Sequence, residues 1–112
     1  MRNLANVIAL ITLLLAGTAL AEQRYALVIG NGAYENIDPL RNAPNDARLI
    51  TDALEDVGFD VTTIINADVE TMQEALNDFV TDLDRAGQDA VGLFYFAGHG
   101  VSYDGLNWLI PI

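Results

Sequence analysis

The chain has 112 residues, is 52% hydrophobic and carries a formal net charge of -11; that length holds one domain at most. Its sixteen acids against five Arg and no Lys exclude the clustered basic face that nucleic acid or an anionic membrane surface requires. With no Cys and a single His, disulfides and thiolate metal sites are excluded, and a zinc site of the usual kind is not expected.

At the N-terminus, Arg2 precedes an uncharged, mainly apolar stretch from Leu4 to Leu15 and then the small residues Ala16, Gly17 and Thr18. Ala19-Leu20-Ala21 fits the A-x-A cleavage pattern of a secretory signal. An uncleaved anchor is the alternative, because the uncharged span approaches the ~20 residues a bilayer needs. The small residues before Glu22 favour cleavage. The expectation is a signal peptide over 1–21, export to the periplasm or the medium, and no stable membrane insertion after cleavage.

Arg24 to Ile29 is a short apolar run closed by Gly30, and it reads as a first, buried, parallel strand. Gly30-Asn31-Gly32 lacks the third glycine of a dinucleotide fingerprint, so no nucleotide cofactor is expected. Asn31 to Asn42 reads as a loop with Asp38-Pro39 as turn chemistry. A helix is expected from Pro44 to Val57, with Pro44 at its first position, Asp46 in its first turn, Ala47, Ile50, Leu54 and Val57 on one face, and Gly58 as its cap. Phe59 to Ile65 reads as a second strand. Asp68 caps a second helix whose inner stripe is Val69, Met72, Leu76, Phe79 and Leu83. Its outer acids, Glu70, Glu74, Asp78, Asp82 and Asp84, read as a solvated face without metal-ligand spacing. Gly87 ends that helix.

Val91 to Ala97 is a second uncharged apolar run, expected to be a strand buried on both faces, and it leads into Gly98-His99-Gly100. Asp104-Gly105 then signals a hairpin or tight turn. The succession strand, helix, strand, helix, strand predicts parallel strands joined by crossovers. The order 2-1-3 sets the loop after the first strand beside the end of the third, where open sheets of this kind bind ligands. His99, Arg41 and Asp46 should therefore converge on one cleft. A lone His beside a strand end can equally be a loop residue satisfied by backbone carbonyls. It can also be an acid–base catalyst on a rigid support, since imidazole is the side chain most often used for proton transfer.

Four segments in succession, RYALVIGN, LRNAPNDARLITDALEDVGFDV, FYFAGHG and NWLIP, resemble the caspase-like cysteine peptidases, the bacterial caspase-like and metacaspase branch most nearly. The match runs from Arg24 to Ile112. The resemblance implies an α/β three-layer sandwich with helices on both faces of a mostly parallel sheet. Residues 22–112 would form the N-terminal part of the catalytic domain. It implies that His99 works with a Cys thiolate as general base and acid in peptide-bond hydrolysis, that the Gly100 N–H helps to form the oxyanion hole, and that no cofactor takes part. It implies a peptide or protein substrate. Arg41 lies in the region where animal caspases hold a substrate aspartate, and Asp46 lies where metacaspases line a pocket for substrate Arg or Lys. The surroundings place a basic preference ahead of an acidic one.

The family Cys is expected ~50 residues downstream of the His, beyond Ile112. Ser102 is no substitute, because nothing near it forms a nucleophile elbow. Two readings stand. One is the front part of an exported caspase-like endopeptidase, inactive alone and partnered by the missing C-terminal part of its domain. The other is a non-catalytic module that binds a peptide or a partner chain. An exposed strand edge is expected to make the chain self-associate.

Overall fold

The computed structural model describes residues 22–112; the expected signal peptide lies outside them. Three strands, β1 (Arg24–Gly30), β2 (Asp60–Ile65) and β3 (Val91–Ala97), form a parallel sheet in the order β2-β1-β3. Helix α1 (Ala43–Asp56) joins β1 to β2, and α2 (Val69–Ala86) joins β2 to β3. Strands β4 (Gly100–Tyr103) and β5 (Leu106–Leu109) make a separate antiparallel hairpin. Among the described residues no helix is long and apolar enough to cross a membrane.

Side chains alternate across a strand, and β1 uses both of its faces. Leu27 and Ile29 pack with Ala67, Met72, Ala75, Leu76 and Phe79 on the α2 side, where Ile64 of β2 and Phe96 of β3 join them. Ala26, Val28 and Gly30 face α1. There the helix lies so close that a Cβ on Gly30 would sit 2.6 Å from the Ala47 Cβ. The two helices therefore cover opposite faces, giving three layers with β1 at the centre. Leu27, Val28 and Ile29 are fully buried, and each contributes about 1.5–3 kcal/mol on leaving water.

The element ends follow local chemistry. Pro44 occupies the first turn of α1, where its missing N–H costs no hydrogen bond. The helix stops at Asp56, and Gly58 (φ +90°) turns the chain out of it. Phe59 donates its N–H back to Leu54 O at 3.0 Å, which keeps it out of β2 and starts that strand one residue later than expected. Asp68 caps α2 by accepting from Thr71 N–H at 2.8 Å, and this bond holds its carboxyl below the usual value of 3.8. At the hairpin tip, Asp104 and Gly105 both have positive φ (50° and 76°). Such a two-residue loop matches the twist of the strands that it joins.

Two expectations need correction. β3 is only half-buried, with Phe94 40% exposed, because it is one of the two outer strands of the described sheet and the α2 contacts centre on β1. Val57 and Val69, expected on the inner stripes, are each 56% exposed. Val57 lies past the end of α1 and Val69 is the first residue of α2, so both overhang the sheet.

Candidate active site

The strands end together at one edge of the sheet, and the loop after β1 is built across that edge. Its base is clamped. Asn31, fully buried, donates its N–H to Ala97 O of β3 at 2.8 Å. Its side chain accepts from Ala67 N–H at 2.8 Å and donates to Ala67 O at 3.1 Å. Asn66, in the left-handed region at φ 59°, accepts from the N–H groups of Gly32 and Ala33, both at 3.0 Å. Leu40 closes the loop by donating to Gly32 O at 2.9 Å. A buried amide with every group paired fixes one geometry, because leaving any partner open would cost ~1–3 kcal/mol.

Tyr34 rises from this base and is 7% exposed. Its hydroxyl accepts from His99 N–H at 3.1 Å and donates to Ile110 O at 2.7 Å. Its ring lies 4.8 Å from the His99 ring, tilted by 60°. Ile110 N–H in turn donates to His99 O at 2.9 Å. One hydroxyl is thus inserted where a direct ladder bond between His99 and Ile110 would stand. Gly98 makes room for it: a Cβ there would meet Phe96 Cζ at 2.6 Å and Tyr34 Oη at 2.7 Å. The glycine before the histidine is required by this packing.

The half-buried His99 ring makes one polar contact, Nε2 to Asp38 O at 2.7 Å. A carbonyl only accepts, so Nε2 carries the hydrogen and, in the neutral ring, Nδ1 keeps the lone pair. The imidazole is therefore oriented with a base on its free side. The hairpin register positions the next group. The His99–Ile110 bond is followed by the Gly100–Leu109 pair. Antiparallel ladders alternate bonded and non-bonded pairs, so the Gly100 N–H points away from β5. A free N–H next to an oriented imidazole is a combination suited to acyl transfer.

Two clefts flank the Asp38–His99 bond. One, of ≈ 340 Å³, is lined by Leu40, Arg41, Asp46, Gly98 and neighbouring residues. Arg41 and Asp46 share this cleft, and among the described residues neither forms an ion pair. The other, of ≈ 470 Å³, is lined by Ile37, Asp38, His99, Gly100, Val101 and Ile110. The expected convergence holds for Arg41 and Asp46 within one cleft, while the His99 ring lines the adjoining one. A further groove of ≈ 470 Å³ runs between α2 and the outer edge of β2, away from His99. Glu74, Asp78 and Asp82 rim it, so part of the acidic run borders a groove. Among the described residues no group of three or more His, Cys, Asp or Glu could hold a metal ion.

Sequence reasoning missed Tyr34 and Asn66, and it raised a backbone carbonyl as partner of the His99 ring without pointing to Asp38. An aromatic residue inside an otherwise polar loop was the signal for Tyr34. A backbone acceptor leaves none.

The caspase domain model matches residues 23–112. The chain belongs to the caspase-domain family. Two relatives are similar to it. The human mucosa-associated lymphoid tissue lymphoma translocation protein 1 is 30% identical over 93 residues, 83% of this chain and 11% of the relative. The mouse homologue is 30% identical over 96 residues, 86% of this chain and 11% of the relative. The chain thus spans about a tenth of the length of these relatives.

Proposed function

We propose that this caspase-domain segment supplies the histidine half of a cysteine endopeptidase site, with His99 as the acid–base residue and the thiol contributed from outside these 112 residues. The observation that carries the reading is the Asp38 O bond to His99 Nε2, which leaves Nδ1 as the working nitrogen. In the reaction, Nδ1 takes the thiol proton, the resulting thiolate attacks the peptide carbonyl carbon and a C–S bond forms. The Gly100 N–H holds the resulting oxyanion. The proton on Nδ1 passes to the leaving nitrogen as the C–N bond breaks. Water then attacks the thioester, Nδ1 takes its proton, and the acid product and thiolate are released.

The Arg41 and Asp46 cleft takes the side chain on the acyl side of the scissile bond. Asp46, free of any ion pair among the described residues, supports a basic residue there, as in the metacaspase branch, ahead of an acidic residue held by Arg41. A net charge of -11 adds a field that draws basic substrates. The leader at 1–21 makes the protein an exported one. N-terminal sequencing of the protein secreted by its source should start at Glu22.

The test is to express the chain together with the coding sequence that follows it in the source DNA, and to assay peptides ending in Arg, Lys or Asp before a fluorogenic amine. Cleavage is expected only where a Cys follows in frame, after a further strand. His99→Gln should then lower kcat by at least about 10³-fold, and Asp46→Asn should lower kcat/KM for Arg peptides by about 10-fold or more. The 112-residue chain alone should be inactive. Full activity in the His99→Gln variant, or thiol-peptidase activity in the isolated chain, would overturn the assignment. A frame that closes without a Cys leaves the other reading, a module that binds peptides in the same clefts.

A further inference from the structure

The mechanism takes His99 and Gly100 from the cleft of ≈ 470 Å³ and leaves its other walls without a task. Its walls are aliphatic: Ile37 from the loop, Val101 from β4 and Ile110 after β5. Ile37 and Val101 are 44% and 52% exposed, so their side chains are available to a ligand. Two walls are fixed by one group, because the Tyr34 hydroxyl binds both His99 N–H and Ile110 O. Gly100 lines it and adds no side chain. The volume exceeds what one large aliphatic side chain needs and lies within the range of sites that hold small ligands.

Its position fixes which part of a peptide it meets. The Asp38–His99 bond separates it from the Arg41 and Asp46 cleft. The imidazole must reach the leaving nitrogen, so the cleft that the imidazole itself lines lies on the leaving-group side. We infer that Ile37, Val101 and Ile110 form a subsite for a large aliphatic side chain immediately C-terminal to the scissile bond. This rests on the acyl-transfer reading above. It adds a second requirement to the substrate: a basic residue on one side of the bond and an aliphatic one on the other.

Binding to the 112-residue chain tests this without turnover. The isotope-labelled chain is titrated by NMR with two peptides, Ac-Ala-Ala-Arg-Leu-NH2 and Ac-Ala-Ala-Arg-Gly-NH2. The methyl signals of Ile37, Val101 and Ile110 and the amides of Arg41 and Asp46 are followed. The leucine peptide should bind about 5- to 10-fold tighter and should alone move the three sets of methyls, while both peptides move Arg41 and Asp46. Val101→Ser and, separately, Ile37→Ser should bring the two affinities to within about twofold of each other. Equal affinities with unmoved methyls, while Arg41 and Asp46 still shift, would remove the subsite and leave the acyl-transfer reading in place. A leucine preference that survives both variants would also remove it. No shift in either cleft would overturn both.

Discussion

The parallel sheet and the β4–β5 hairpin solve opposite problems. In the sheet, β1 is covered on both faces and Leu27, Val28 and Ile29 lose all contact with water. In the hairpin every residue is exposed. Its register stacks Val101 opposite Trp108 and Tyr103 opposite Leu106, which makes one wholly apolar face. The sheet therefore has its own core, and the hairpin is held to it by a few hydrogen bonds, those of the Tyr34 hydroxyl and of Ile112 N–H to Ala67 O at 3.1 Å. His99 stands at the junction. Its ring is set from the sheet side through the loop, while the neighbouring Gly100 N–H belongs to the hairpin. The two groups proposed for acyl transfer are thus referenced to regions of unequal burial.

The contrast can be broken most severely at Asn31. Asn31→Ala strips Ala67 of two partners inside the core edge and should cost about 2–4 kcal/mol in urea unfolding. A loss below about 1 kcal/mol would show that the clamp is replaceable. Tyr34→Phe removes only the hydroxyl and should cost about 1–2 kcal/mol. Its sharper signature is hydrogen exchange: the amides of His99 and Ile110 should open at least tenfold faster than those of Leu27 and Ile29 change. Equal acceleration across all four would mean that hairpin and sheet open as one unit. Trp108→Ser on the apolar hairpin face should change stability by less than about 0.5 kcal/mol yet reduce self-association in sedimentation. Unchanged association would move the sticky surface to an edge of the sheet. The most local effect is at Asp68. Its carboxyl is held low by the Thr71 N–H, so its stabilisation is present above the ordinary pKa and is lost as pH falls through the lower folded value. Asp68→Ala should flatten that acid limb and lower the melting temperature by a few degrees at neutral pH. An unaltered acid limb would place the dependence on another carboxylate.

Much of the sheet was readable because its signals are local. Two apolar runs each close on glycine, Asp68 and Gly87 bracket a helix, and Asp104-Gly105 dictates a turn. The order β2-β1-β3 is one of the arrangements that the connectivity permits, and the structure adopts it, which brings the 31–42 loop and His99 to one edge. What escaped depends on distance in space. The exposure of Phe94 is decided by which strand lies outermost, and hydropathy carries no such information. Val57 and Val69 share the helical period of their neighbours but sit past the ends of the sheet. The division into two clefts follows from a single backbone contact, so the sequence placed Arg41, Asp46 and His99 together without showing the partition between them.

That contact has a consequence for variation. The partner of His99 Nε2 is a peptide carbonyl, which every amino acid carries and no pH change in the working range can discharge. Position 38 can exchange its side chain freely without untying the imidazole, so long as the path of the loop is kept. Inserting or deleting one residue between Tyr34 and Pro39 would shift the carbonyl and free the ring. In this chain the length of that loop, rather than any one of its side chains, is what descent must preserve.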